Sequence, residues 1–557
     1  MKRYIFYTLM LLFTVMTVMT GCKKWLDVNY DPATPQDPDP ASVFPTQLAG
    51  IPRGNQYDSR YVGRYIQNWE TVLTSRTADI VWDQMGYATN SDANGDIWRQ
   101  CYFGLGKNLN YIIETGHTKG QWDYIGAAYA LKAYMFQITT DHHGEIIYTE
   151  AFKENTAIFK FDSQDTVYMG VRSLCDSALK YLARTDFPNP GINRLVRGDY
   201  SFNGDNAKWI KFTYGILAHN YNHLSRKTAL YDPAKVIEFC DKSMTVIADD
   251  FLIPFDATKN DDTNFYGPYR DNLTFMRQGA FIVRLLDGFA LTGNRNFANR
   301  DPRIKHMLSA SQDTTNGNGG YVGLEPGLGD PSASSTVPAT LRKRAAAPWG
   351  DSIYGNPSAA LFTPNAGKYL FKDKAVMPVM TSAEIYFIKA EAAFLSNKKD
   401  VALDAYTKGI NAHFDFINRT TMPRNGGTLY NGAPITAKER ADYLASANVA
   451  KTEATLTLAD IMLQKYIALF GWGFNETWVD LRKYEYNKYI APGTTTPVYR
   501  TFALPQTFNG LNAGPFPVQR ARPRFNSEYV WNADELKRIQ ADFSNYHTKP
   551  IWFAIPN

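Results

Sequence analysis

The sequence predicts an all-α protein of about four helical hairpins with one long, irregular, loop-rich portion. Three observations predict it. Apolar residues recur at helical spacing in segments that come as adjacent pairs, the clearest pairs carry helix-capping chemistry, and helical periodicity fades over residues 250–380, where turn formers crowd.

The chain opens with MKRYIFYTLMLLFTVMTVMTGC, residues 1–22, which reads as a lipoprotein signal. Lys2 and Arg3 form the positive start, Tyr4 to Val18 the apolar stretch, and Thr20-Gly21 the small residues before cleavage. Cys22 then becomes the lipidated N-terminus. The pattern resembles the bacterial lipobox, with Met19 where Leu is usual. The alternative, an uncleaved span, needs about 20 consecutive apolar residues, and Thr8, Thr14, Thr17 and Thr20 dilute this run. Residues 23–45 follow as an extended tether, because DPATPQDPDP at 31–40 holds four prolines and three aspartates and little to bury. Lys23-Lys24 leaves the side of the membrane open.

Residues 46–557 read as one domain, with a helical core over about 58–250 and 380–485. The first pair is 121–141 with 165–184, whose stripe is Val167, Val171, Leu174, Ala178 and Leu182. The second is 206–226, with Trp209, Phe212, Ile216, Leu217 and Leu224 on one face, followed by a helix opened by Asp232-Pro233 and carrying Val236, Ile237, Cys240, Met244 and Ile247. The third begins at Thr381-Ser-Ala-Glu384, a capping box, and turns at 396–400; the fourth lies near 457–485. Small residues such as Ala127, Ala128, Ala130, Ala390 and Ala392 suit tetratricopeptide-like stacking, in which each hairpin buries its neighbour's apolar face. The irregular spacing implies an interrupted array. The interruption at 250–380 carries scattered aromatics, Phe265, Tyr266, Tyr269, Trp349 and Tyr354, and reads as the ligand-facing part.

Composition narrows the function. The formal charge of +5 becomes +3 once Lys2 and Arg3 leave with the signal, and no Lys/Arg run appears, so no nucleic-acid partner is expected. Beyond Cys22 only Cys101, Cys175 and Cys240 remain, without CxxC spacing; they read as packed thiols and not as a disulfide or zinc site. Aromatic residues make up 14% of the chain, more rings than a core alone calls for, and flat Tyr and Trp faces suit sugar recognition.

Several phrases, in chain order, are similar to those of the SusD-like family of outer-membrane nutrient-binding lipoproteins. They are YMFQITTDHHGEIIY at 134–148, Gly204-Asp205 with Lys208-Trp209, Asp301-Pro302-Arg303, MTSAEIYFIKAEAAF at 380–394, QKYIALFGWGFNETWVDLR at 464–482, and Arg522-Pro-Arg-Phe-Asn-Ser-Glu528 with Asn532. Ile147 stands where the family often has proline. The resemblance implies four tetratricopeptide-like units plus an irregular ligand-binding portion. It also implies a lipid-anchored protein of the outer membrane, facing the exterior, which passes oligosaccharides or peptides to a SusC-like, TonB-dependent barrel. The family's ligand residues lie in variable loops, so none is transferred.

No organised catalytic, metal or cofactor motif is expected. Glu384 and Glu391 lie seven apart, but capping and a bond to a neighbouring helix explain them better than glycoside hydrolysis. His142-His143-Gly-Glu145 lacks the i, i+4 spacing of helical zinc motifs, and Asp92-Ala-Asn94-Gly-Asp96 matches a calcium loop only in part. Two aromatic clusters in turn-rich context are the expected ligand contacts: Trp82, Gln84, Tyr87 and Asn90, and Tyr266, Tyr269 and Arg270 with Trp349 and Tyr354. The reading favours glycan capture. A peptide binder, a surface glycoside hydrolase and a protein-binding scaffold remain as rivals.

Overall fold

In the computed structural model, the described residues are 37–188, 194–295, 300–311, 314, 317–330, 345–350, 367–420, 422, 428–430 and 432–557. The expected signal, its Cys22 and Tyr354 lie outside them. The helices used below are α1 (Pro40–Tyr65), α2 (Thr77–Asp83), α3 (Asp96–Arg99), α4 (Lys107–Lys119), α5 (Trp122–His143), α6 (Gln164–Leu182), α7 (Asn206–Asn222), α8 (Pro233–Lys242), α9 (Ala280–Leu286), α10 (Ser382–Leu395), α11 (Lys399–Ile417), α12 (Leu458–Leu469) and α13 (Phe474–Lys483). All four expected pairs are present: α5 packs on α6, α7 on α8, α10 on α11 and α12 on α13. Further contacts of α6 with α7, α8 with α10 and α10 with α12 join the pairs into one stack. No described helix is long and apolar enough to cross a membrane.

Local chemistry sets these elements as the sequence implies. Asp232 accepts the Lys235 amide with Pro233 at the first helical position, and Thr381 and Glu384 form a reciprocal capping box. Trp209, Phe212, Ile216, Leu217 and Leu224 are all buried, as are the three thiols, which are free.

The tether is shorter than its prolines imply. Residues 40–45 are not extended; they are the first turns of α1. Asp39 Oδ1 accepts the Ala41 amide at 2.8 Å, and Pro40 occupies a helical position that needs no N–H donor. Phe44 then anchors the turn, its ring 5.8 Å from both Tyr124 and Trp209. The helical core therefore begins well before residue 58.

The segment 250–380 is not all loop. Strand β2 (Phe251–Pro254) pairs antiparallel with β4 (Val376–Met380), Phe251 opposite Met380, so the two ends of the excursion are stitched together. Strand β1 (Trp69–Thr71) pairs with β3 (Met276–Gln278), Trp69 opposite Gln278, and this ties the excursion to the N-terminal helices. Its aromatics pack inward: Trp69, Tyr266 and Phe371 meet at ring distances of 5.7 and 6.0 Å.

Asp58, buried on α1, fastens the start of α3 by accepting the Asp96 amide at 3.0 Å and the Ile97 amide at 2.7 Å. Burial and then the Asp96 charge push its carboxyl up to about 8. The folded chain thus holds a proton that the unfolded chain has lost, so this group's stabilising contribution is complete below about pH 4 and lost as pH rises through about 8. Thermal midpoints measured from about pH 6 to about pH 9 should fall in the natural protein and fall less in Asp58→Asn. Equal slopes would place the titration elsewhere.

Candidate functional site

Along α1, the residues that do not face the core recur about once per turn, as Thr46, Ala49 with Gly50, Arg53 and Tyr57. This stripe forms one wall of a cleft of about 1260 Å³. The facing wall is α3 and the wide helical turn Gln100–Gly106 that follows it. The two walls approach closely because glycines of α1 stand at the crossing: a Cβ on Gly50 would lie 2.5 Å from Leu105, and one on Gly54 would lie 2.7 Å from Gln100. The remaining sides come from the chain leaving β2, Pro254–Asp256, and from 261–265 with Arg270.

Aromatic and guanidinium groups interleave in the cleft. Tyr57 and Phe265 lie 4.4 Å apart there, and Arg60, outside the lining, places its guanidinium 4.7 Å from Tyr57 and 5.2 Å from Phe265. Phe103 projects from the opposite wall, 75% exposed, with Arg99 5.6 Å from its ring. Arg53, Arg99, Arg270 and Arg524 face Asp96, Asp256, Asp261 and Asp262. Burial raises the Asp96 carboxyl above its ordinary range, opposed by Arg99 and Arg60. Aromatic faces beside multiple donors and acceptors can hold a polar polymer without chemistry on it.

A second, narrower groove of about 370 Å³ adjoins the cleft, and Arg524 lines both. Arg524 pairs there with Asp92. Tyr87 stands in the groove with Arg522 4.7 Å over its ring and the His547 ring packed edge-to-face, 4.8 Å between centres. Asn90 is exposed at the rim.

The structure sorts the expected contacts. Trp82, Tyr87 and Asn90 do share the groove, but Trp82 is only 2% exposed and packs on Tyr61 at 4.5 Å, so it is floor and not platform. Gln84 lies outside the groove lining, its backbone oxygen accepting the Asn509 amide. Of the described residues of the second cluster, Arg270 alone lines the cleft. Tyr266 is fully buried with its hydroxyl 2.5 Å from Ser59, and Trp349 is buried with its indole donating to the Tyr266 carbonyl at 2.7 Å. Tyr269 is half-buried, its amide donating to Asp373. Tyr266 and Trp349 fail as surface contacts because the excursion has a core of its own to fill. Tyr57, Arg60, Phe103 and Arg524 escape the sequence reading. For Tyr57 the available signal is the stripe on α1, which falls between the expected tether and the expected start of the helical core at about 58 and so goes unread.

Glu384 and Glu391 are buried and do not line the cleft. Glu384 completes its capping box, and Glu391 accepts from Lys483 and Asn222 at 2.7 Å and from Tyr484 at 2.5 Å. His142 and His143 are likewise buried at the end of α5.

Fold and site together define a class of stacked helical-hairpin proteins whose strand-clamped excursion borders an open cleft. Residues 36–500 match a family model for SusD-like proteins, described as starch-binding and associating with the outer membrane, and the chain belongs to that family. A SusD/RagB family protein from Bacteroides thetaiotaomicron superimposes with a TM-score of 0.66 at 21% identity, over 92% of this chain and 99% of that one. A chitin-binding SusD homologue from Flavobacterium johnsoniae gives 0.60 at 18%, over 92% and 99%, and a SusD homologue from Bacteroides fragilis gives 0.64 at 18%, over 92% and 100%. No match is found among curated protein sequences.

Proposed function

We propose that this protein captures oligosaccharides at the outer membrane and delivers them, without chemistry, to a SusC-like, TonB-dependent barrel. The observation that carries this reading is the large cleft whose walls alternate rings and guanidinium groups. Its volume exceeds the roughly 300–1,000 Å³ of ordinary small-molecule sites, which suits a chain of sugars better than one. Family membership supports the transport role and the location, with Cys22 as the lipidated anchor holding the domain at the exterior face. A second reading, peptide capture, is favoured by the four arginines and four aspartates around the same cleft, which offer both signs of charge to a zwitterionic chain.

Calorimetric titration of the chain without residues 1–22 against oligosaccharides and peptides, with product analysis of the same samples, tests it. Saturable oligosaccharide binding without product supports the proposal. Peptide binding alone supports the second reading, and cleavage overturns both. Tyr57→Ala should weaken binding about tenfold, near 1.4 kcal/mol, with an unchanged thermal midpoint, because it removes a ring face and little core. Unchanged affinity would exclude this cleft as the binding site.

A further inference from the structure

A small cavity of about 40 Å³ lies among α5, α7, α10 and α13 and shares no lining residue with the cleft. Asp141, His219, His223, Glu384 and Glu476 converge on it. We propose that this cavity binds one divalent transition-metal ion, best fitted by zinc, through His219 Nε2 and the carboxylates of Glu384 and Glu476.

Four observations carry the assignment. The candidate ligand atoms of His219, Glu384 and Glu476 all lie within 4.8 Å of one another, in three buried side chains from three separate helices. His219 Nε2 lies 3.2 Å from Glu384 Oε1, close to the separation of about 3.4 Å between neighbouring ligands on a tetrahedral zinc. That nitrogen is buried and makes no hydrogen bond, so its approach to Glu384 is a contact that an ion could bridge. His223, one turn on, is no ligand, since both its ring nitrogens are engaged, but its ring lies 5.9 Å from that of His219 and within 13° of parallel, so it walls the cavity beside the ligand nitrogen.

The surroundings supply what such a site needs beyond its ligands. Glu384 is held by its capping box, and Glu476 is oriented by Lys465 at 2.7 Å and by His223 Nε2 at 2.7 Å. His223 Nδ1 in turn lies 3.3 Å from Asp141. Outer partners of this kind fix ligand orientation and raise ligand basicity. One water needs roughly 10–15 Å³, so the cavity has room for an ion and a water as fourth ligand. The ion would pin α7, α10 and α13, drawn from three hairpins.

The purified protein, exposed to zinc and desalted, should retain one zinc per chain and unfold a few degrees higher than after chelation. Cobalt(II) should give the intense visible band of a four-coordinate N/O site, bleached by added zinc. His219→Ala and Glu384→Gln should each lower zinc affinity at least tenfold. Zinc retained equally by both variants would mean binding at surface groups such as His117 and would overturn the assignment. Should a variant fail to fold, the cobalt spectrum of the unaltered protein decides, and a weak aquo-like band overturns the proposal.

Discussion

Trp82→Ala should destabilise the protein by about 3–5 kcal/mol while leaving ligand affinity within about twofold at temperatures where the chain is folded. The indole closes α2 onto α1, 4.5 Å from Tyr61 and 5.9 Å from Tyr65, and Tyr65 continues the contact to Trp478 at 5.5 Å. Truncation therefore opens a void where two helices meet a third, and such rigid neighbours collapse poorly. Urea denaturation paired with calorimetric titration reads both quantities. A preserved denaturation midpoint with lost binding would restore Trp82 as the ligand platform that its sequence context implies.

Lys483→Met is expected to cost a comparable 3–5 kcal/mol, about the size seen when one partner of a buried ion pair is removed. Lys483 Nζ lies 2.7 Å from Glu391 and 3.2 Å from Asp480, and all three side chains are almost fully buried. Methionine keeps most of the volume but leaves Glu391 and Asp480 with less compensating charge. Lys465, 2.7 Å from Asp480, cannot neutralise both. A drop in the urea midpoint with an unchanged slope would show the loss, and a change below about 1 kcal/mol would mean that the carboxylates take up protons instead.

Much of the scaffold is legible because it is local. The stripe Trp209, Phe212, Ile216, Leu217, the cap at Asp232 and the box at Thr381 need only residues three or four apart, and the structure keeps them. Reading fails where proline composition competes with capping: DPDP ends in a helix start, since Asp39 caps and Pro40 lacks only a donor that the first turn does not use. It fails again at Tyr266 and Trp349, whose turn-rich neighbours say nothing of the rings that cover them.

By itself the sequence determined the four hairpin pairs, the buried thiols, the helix caps at Asp232 and Thr381 and, through phrases spread from Tyr134 to Asn532, the family. Only the tertiary structure decided which rings stay wet, which walls enclose the cleft, and how the core charges pair. Asn222 meets Glu391 across 169 residues and His223 meets Glu476 across 253. Helical periodicity reports on the next turn of the same helix, whereas a cleft or a charge cluster is a meeting of distant segments, fixed by the packing that brings them together.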